Sequence, residues 1–364
     1  MHVRFLVGIL LAGAKKPEDW KSALFSGSIQ GFPSYDEGNK ILDSFLQSYP
    51  GRISRESIGK SFEGREIFSY RVFENSLSSP ALEGSPRILL TSLMHGREPV
   101  TLLISLYVMG TLMDELSRNL TEAKFLLTSR ELFVIPFVNP DAYAYGSSVG
   151  KLEFRKNRRP TCNSSNPEDS GVDLNRNFGH HWRSNVTFST ANPCGLEYAG
   201  ESAFSEPESR AMADYARRMQ FDSAMHLHSY GEILTYPFNH GTSERVSDSH
   251  DSFFRELAQV MRFDRFGPAS QTLKYTTSGE ATDWFYAQLG TVALAPEVGE
   301  EKYGFLPPNE KLENICHSNL NRIKYWMFKS GVEVSALNSK RIDGGWHVDI
   351  VNTGLGTFRN RGGV

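Results

Sequence analysis

Disulfide scaffolding, a long apolar run and a strong charge of either sign are all missing from this 364-residue chain. Three cysteines cannot build a disulfide framework, and an odd count leaves at least one thiol free or intermolecular. No apolar run nears the ~20 residues that a bilayer span needs. The 39 Lys and Arg almost balance 42 Asp and Glu, for a formal charge of −3. A general nucleic-acid binder would need a clear basic excess, so that class is excluded. What is present is apolar material: 39% hydrophobic against 22% charged residues, enough for a sizeable core and too much for wholesale disorder. At this length one large domain or two medium ones are open.

The N-terminus reads as a short secretory signal. Arg4 precedes the apolar stretch 5–11, and Ala12-Gly13-Ala14 supplies small residues at the usual cleavage spacing, predicting a signal over 1–14. The competing reading is a buried N-terminal strand. Three glycosylation sequons, at Asn119, Asn163 and Asn185, fit an exported, extracellular chain, although such triplets arise easily by chance.

After a polar lead-in over 15–33, helical and strand-like segments alternate without a repeat. Helical spacing at Ile41, Leu42, Phe45, Leu46 and Tyr49 predicts a helix over 37–49, stopped by Pro50-Gly51. Apolar runs predict strands over 87–93, 131–138, 221–227 and 291–295, with a long helix beginning near Pro99 and a last one over 309–329. Ser205-Glu206-Pro207-Glu208 has the form of a capping box, opening a helix to Met219. Strands alternating with helices imply a mainly parallel sheet covered on both faces, with ligands outside the strands' carboxyl ends. Residues 331–364 differ: 346–352 alternate at period two before the turn signal 353–356, which predicts a β-rich appendage or the start of an incomplete β module.

Chemistry gathers where those strands end. His95 and Glu98 follow the strand over 87–93, and His and Glu three apart can reach one cation. Ten His and 42 acidic residues would place about one such pair by chance, so convergence has to carry the argument. His228 emerges from the next strand, while His226, two residues earlier, is expected to pack within the sheet. Two His and one Glu leave a fourth position for water, as catalytic zinc requires. Glu297 closes an apolar strand and is a candidate general base.

The set His95-x-x-Glu98, Asp173-Leu174-Asn175-Arg176-Asn177, His228-Ser229-Tyr230, Tyr275 and Glu297, in this order, resembles the zinc metallocarboxypeptidases of the carboxypeptidase A type. The likeness runs over about 35–329, and its combination is far more specific than any single piece. It implies an α/β fold, with a mixed, mostly parallel eight-stranded sheet between helices, in a catalytic domain over 34–330. It also implies one Zn2+ held by His95, Glu98 and His228, with Asp173 orienting His95.

Further roles follow from the same resemblance. Glu297 would be the base, Arg158 would stabilise the oxyanion, and Asn175 and Arg176 would clamp the substrate's terminal carboxylate. Tyr275 would close over the bound residue, with Arg155, Ser229 and Tyr230 in the substrate site. The basic cluster 155–159 would otherwise be a solvated loop, but an exopeptidase needs a cationic site for its substrate's end. Thr282 falls at the family's pocket-floor position and Glu280 two residues before it, a pattern similar to bacterial carboxypeptidase T. That implies acceptance of both hydrophobic and basic C-terminal residues.

The resemblance further implies a Cys162–Cys194 disulfide, and Cys316 falls on the apolar face of the last helix as a buried thiol. Peptides with a free C-terminal carboxylate are the expected partners, with no nucleic acid, no membrane span and a monomer favoured. Two departures stand out. Residues 298–302 are one residue shorter and more acidic than in the digestive enzymes. The stretch 15–33 is too short for their folded prosegment, so no zymogen cleavage is expected. The rival readings are a cell-wall peptide carboxypeptidase, an acylase-type zinc hydrolase, and a non-catalytic binding module, which would be expected to have lost a ligand or the base.

Overall fold

The computed structural model describes residues 19–74, 85–184, 187–241, 243–331, 334–342, 345–352 and 354–355; the expected signal over 1–14 and the sequon at Asn185 lie outside them. Eight strands are β1 (Ile53–Lys60), β2 (Glu66–Val72), β3 (Arg87–Thr91), β4 (Glu131–Ile135), β5 (Ser223–His226), β6 (Ile233–Thr235), β7 (Arg265–Gly267) and β8 (Val292–Glu297). They form one sheet in the order β1-β2-β4-β3-β5-β8-β6-β7. The centre, β4-β3-β5-β8, is parallel, with antiparallel β2 joined to β4 and antiparallel β6 joined to β8. The expected mixed sheet is therefore present.

Its sandwich character is written in the alternation of the central strands. Ile88 and Leu90 of β3, with Leu132 and Val134 of β4, enter one hydrophobic cluster. Leu89, Phe133 and Ile135 point into the other. A strand covered on both faces reads as a continuous apolar run, which is why period-two patterning is absent there. Helices Tyr35–Ser48, Pro99–Ser117 and Asn309–Lys329 cover the first face, and Pro207–Met219 and Ala281–Leu289 the second. Cys316 is a fully buried free thiol in the first cluster.

Contrary to the expectation that no apolar stretch nears a membrane span, Pro99–Ser117 has the length and apolarity of one, but its residues are largely buried as a core helix. Its Gly110 admits the ring of Trp20, which a Cβ would meet at 2.7 Å. Trp20, Leu24, Ile29 and Phe32 are all buried in the first cluster, so the described part of the expected lead-in, from residue 19, packs on the domain core.

Two local expectations differ. The Ser205–Glu208 capping box does not form: Glu206 is the N-cap, with no side-chain cap, and the Glu208 carboxylate instead accepts from Phe62 N at 2.9 Å and Asn157 Nδ2 at 3.2 Å. A capping box does form at Ser34 and Glu37, opening Tyr35–Ser48. At the C-terminus, β9 (Val334–Ile342) and β10 (Gly345–Asn352) make a separate antiparallel pair, and Leu355 N returns to donate to Lys329 O at 3.0 Å.

Candidate metal centre and substrate cleft

Three strand ends build the site. Past β3, a turn closed by Glu98 N donating to His95 O at 3.2 Å brings the two side chains together, and Glu98 then caps Pro99–Ser117. Past β5, Leu227 N reaches Thr91 O at 2.9 Å and His228 N reaches Pro296 O at 3.0 Å, so His228 stands beside both neighbouring strands. Glu297 ends β8 and bridges the His228 backbone. His226 stays within the sheet, its Nδ1 2.9 Å from Thr91 Oγ1 and its ring held neutral by burial, which lowers its pKa to about 3.

The Glu98 carboxylate spans two imidazoles: Oε1 is 2.7 Å from His95 Nδ1, and Oε2 is 3.1 Å from His228 Nδ1. All three side chains are buried. The far nitrogen of His95, Nε2, is 3.2 Å from Asp173 Oδ1, the carboxylate–histidine arrangement that fixes the tautomer of a metal ligand. Burial, reinforced by the Arg155 charge, lowers the His95 pKa and favours the neutral ring. With the ring proton on Nε2 toward Asp173, Nδ1 is left as a lone-pair donor beside the Glu98 oxygen, and a cation held between the two would satisfy both.

The Glu98 carboxyl points the same way. Burial alone would raise it, but the imidazoles outweigh burial and hold it well below the usual carboxylate range. Two imidazole nitrogens and a carboxylate oxygen with room for a fourth donor are the donor set of catalytic zinc. The residues fit that ion.

Arg155, and not Arg158, stands beside the metal ligands. Arg155 lines the cleft, donating to Asp173 Oδ2 from Nε at 2.8 Å with Nη2 at 2.7 Å, and its Nη1 is 3.3 Å from His95 Nδ1. Arg158 lies outside the cleft lining, its guanidinium stacked 3.7 Å from the Tyr145 ring centroid and 3.7 Å from Glu63. The expectation that Arg158 meets the oxyanion is corrected accordingly: its guanidinium is taken up by Tyr145 and Glu63, and Arg155 is the one beside the metal ligands.

The rest of the set surrounds a cleft of about 820 Å³. Arg176 is buried at its wall, with Nη2 2.7 Å from Glu197 Oε1 and Nη1 3.4 Å from Glu280 Oε1. Burial would lower its pKa, but Asp173, Glu280 and Glu197 overcome that and keep it charged. Asn175 ties the wall together: its Oδ1 accepts from Ala281 N at 3.0 Å, and its Nδ2 is 3.4 Å from His228 Nε2. Gly279, at φ +70°, lets the chain pass where a Cβ would stand 2.3 Å from Arg176 O.

Tyr275 lies at the mouth, 52% exposed, and Ser229 and Tyr230 also line the cleft. Glu280 faces the cleft, with Asn239 Nδ2 donating to it at 2.7 Å. Thr282 is not among the lining residues: it is 1% exposed in the first turn of Ala281–Leu289, its Oγ1 buried without a hydrogen-bond partner. Of the two expected pocket determinants, only Glu280 is in the wall. Arg97 and Glu197 line or brace the cleft without having been singled out in the sequence. Arg97 sits inside the His-x-x-Glu motif and was visible there, whereas nothing local marks Glu197.

Burial raises the pKa of Glu297 to about 7; the nearby Glu98 also raises it, and His228 opposes. Cys162 and Cys194 form the expected disulfide. Beside it Lys156 Nζ donates to Asp169 O at 2.6 Å and Gly195 O at 2.8 Å, closing the loop that leads into Asp173.

A buried two-His, one-Glu centre at the carboxyl ends of a mixed sheet defines a metal-site α/β domain. The chain belongs to the zinc carboxypeptidase family, whose model matches residues 39–322. It is 29% identical over 283 residues to a zinc carboxypeptidase of Simulium vittatum, covering 74% of this chain and 87% of that one. It is 28% identical over 285 residues to carboxypeptidase B of Bos taurus, covering 76% and 65%. The structure of a carboxypeptidase A from Helicoverpa armigera superposes with a TM-score of 0.67 at 27% identity, covering 82% and 73%. Fungal relatives named inactive metallocarboxypeptidases also match, and the chain spans about half their length.

Proposed function

We propose that this chain is an exported, zinc-dependent carboxypeptidase that hydrolyses the C-terminal residue of peptides bearing a free carboxylate. The observation that carries this reading is the opening of the His95–Glu98–His228 centre, Glu297 and the buried Arg176 onto one cleft. Export rests on the signal-like 1–14 stretch.

Zinc, when bound, supplies Lewis-acid activation of water and of the scissile carbonyl. Glu297, its pKa already lifted toward neutrality, takes the proton of the attacking water and passes it to the departing amine. Arg155 presents its guanidinium to the negative charge that develops on the carbonyl oxygen. Arg176 receives the substrate carboxylate with its planar fork, and the Asn175 amide lies beside it. Tyr275, half-exposed at the mouth, covers the bound residue and excludes water.

Glu280 sets the side-chain preference. A substrate carboxylate on Arg176 draws that guanidinium away from Glu280, freeing an acceptor for a basic side chain. Protonated or held by Asn239, the same residue tolerates an apolar one, so both classes are accepted. The relatives named inactive favour a second reading, a non-catalytic domain; against it, every proposed ligand and the base are present here. A Glu297→Ala variant decides between them. Retained zinc with lost release of amino acids supports the enzyme reading, and undiminished release overturns the assignment of the base.

A further inference from the structure

We propose a second transition-metal site, formed by His180, His181, His240 and Glu244 and sharing no residue with the catalytic centre. One donor atom from each of the four lies within 4.8 Å of every other. His181 Nε2 is 2.7 Å from Glu244 Oε1, His180 Nε2 is 3.3 Å from Oε2, and His240 Nε2 is 4.0 Å from Oε1. Zinc–nitrogen bonds of 2.0–2.1 Å put the donors of a tetrahedral site about 3.3 Å apart. The four side chains therefore need to move by only a fraction of an ångström to a little over one.

Three further features distinguish this from a surface ion-pair cluster. His180 Nε2 is buried and makes no hydrogen bond, although it is aimed at Glu244. His240 is oriented from behind: its Nδ1 is 3.1 Å from Asp283 Oδ2, an oxygen that also accepts the backbone N–H of Asn239 at 2.9 Å and of His240 at 3.1 Å. A carboxylate fixed on one ring nitrogen leaves the other as the donor, the arrangement found behind metal-bound histidines. Finally, the rings are crowded together, His181 stacked on His240 at 3.9 Å and His180 edge-on to His181 at 4.6 Å. Rings packed so tightly around one carboxylate bring their ring nitrogens toward a single point.

The donor set specifies the ion. Three imidazoles and one carboxylate suit Zn2+ and its neighbours in the transition series, and suit neither Ca2+ nor Mg2+, which need mostly oxygen. Four protein donors make a closed, structural centre. It joins the turn after Asn177 to the loop before the helix Asp248–Val260. It also reaches the substrate cleft, because Asn239, next to His240, donates to Glu280 at 2.7 Å. An ion here steadies the wall that carries Glu280.

Metal counting tests this directly. The purified full chain is saturated with Zn2+, dialysed free of loose ions and analysed by mass spectrometry for zinc per chain. Two ions per chain are expected in the wild type and one in a His181→Asn, Glu244→Gln double variant. Both substituted side chains are about a third exposed, so the fold is expected to tolerate them. One ion in the wild type, or two in the variant, overturns the proposal. A melting titration of the wild type guards against a misfolded variant. A further rise in Tm on adding zinc beyond the first equivalent supports the site, and a flat response past one equivalent contradicts it.

Discussion

Arg155 grips Asp173 with two nitrogens, Nε at 2.8 Å and Nη2 at 2.7 Å from the same oxygen, while the other oxygen of that carboxylate faces His95. One buried carboxylate thus orients a metal ligand and a cation at once. Burial would raise its pKa, but Arg155, His95 and Arg176 hold Asp173 well below the usual range.

Arg155 and Arg158 should separate cleanly in kinetics. Loss of an oxyanion-stabilising donor costs roughly 10²–10³ in kcat, and that loss is expected for Arg155→Ala. Arg158→Ala removes a stack on Tyr145 outside the cleft and should leave kcat within about threefold, as for a surface change away from the site. Steady-state rates on one peptide decide it, and the opposite ranking restores the expectation drawn from the sequence.

The difficulty of choosing between these arginines shows where sequence reasoning stops. Loop 155–159 offers three arginines within five positions, and nothing in their spacing says which guanidinium turns inward. His95, Glu98, His228 and Glu297 are legible because they converge: each lies at or just past the end of an apolar run that reads as a buried strand, and together they make one donor set and a base. The β1–β2 hairpin leaves no such signal, because β1 is an edge strand, mostly exposed, and carries no apolar alternation. β6 and β7 have three residues each, too few to register as a period. Glu208 looked like a cap because its spacing is right, yet its carboxylate is spent on Phe62 and Asn157.

The pH profile follows from Glu297. Burial raises its carboxyl from the usual 4.5 or so to about 7, and a cation at the neighbouring ligands pulls it back down. The acid limb of kcat/KM should therefore fall between those two values. Activity is lost as pH drops through the limb, because the protonated carboxyl cannot accept the proton of water. A profile flat down to pH 4 contradicts the assignment.

The Glu280 wall predicts turnover of otherwise identical peptides ending in Phe, Leu and Arg, with a peptide ending in Glu the poorest of the four. Measured kcat/KM for the series tests this. Inactivity on either the Phe or the Arg peptide rules out dual acceptance.

The Cys162–Cys194 bond closes a loop with a sequence separation of 32. Loop-closure entropy for that length corresponds to about 3–4 kcal/mol, or roughly 5 °C in Tm for a domain of this size. Melting with and without reductant should show that drop. Identical curves would mean that the bond does not brace the Asp173 loop.

The central claim is that Arg176 reads a free carboxylate at the substrate's end. Its most direct test compares release of the C-terminal residue from one peptide in its free-acid and C-terminally amidated forms. Turnover of the acid is expected, with a loss of at least about 10²-fold on the amide, as when a charge-assisted bidentate pair is removed. Equal hydrolysis of both forms would contradict it and point to an endopeptidase.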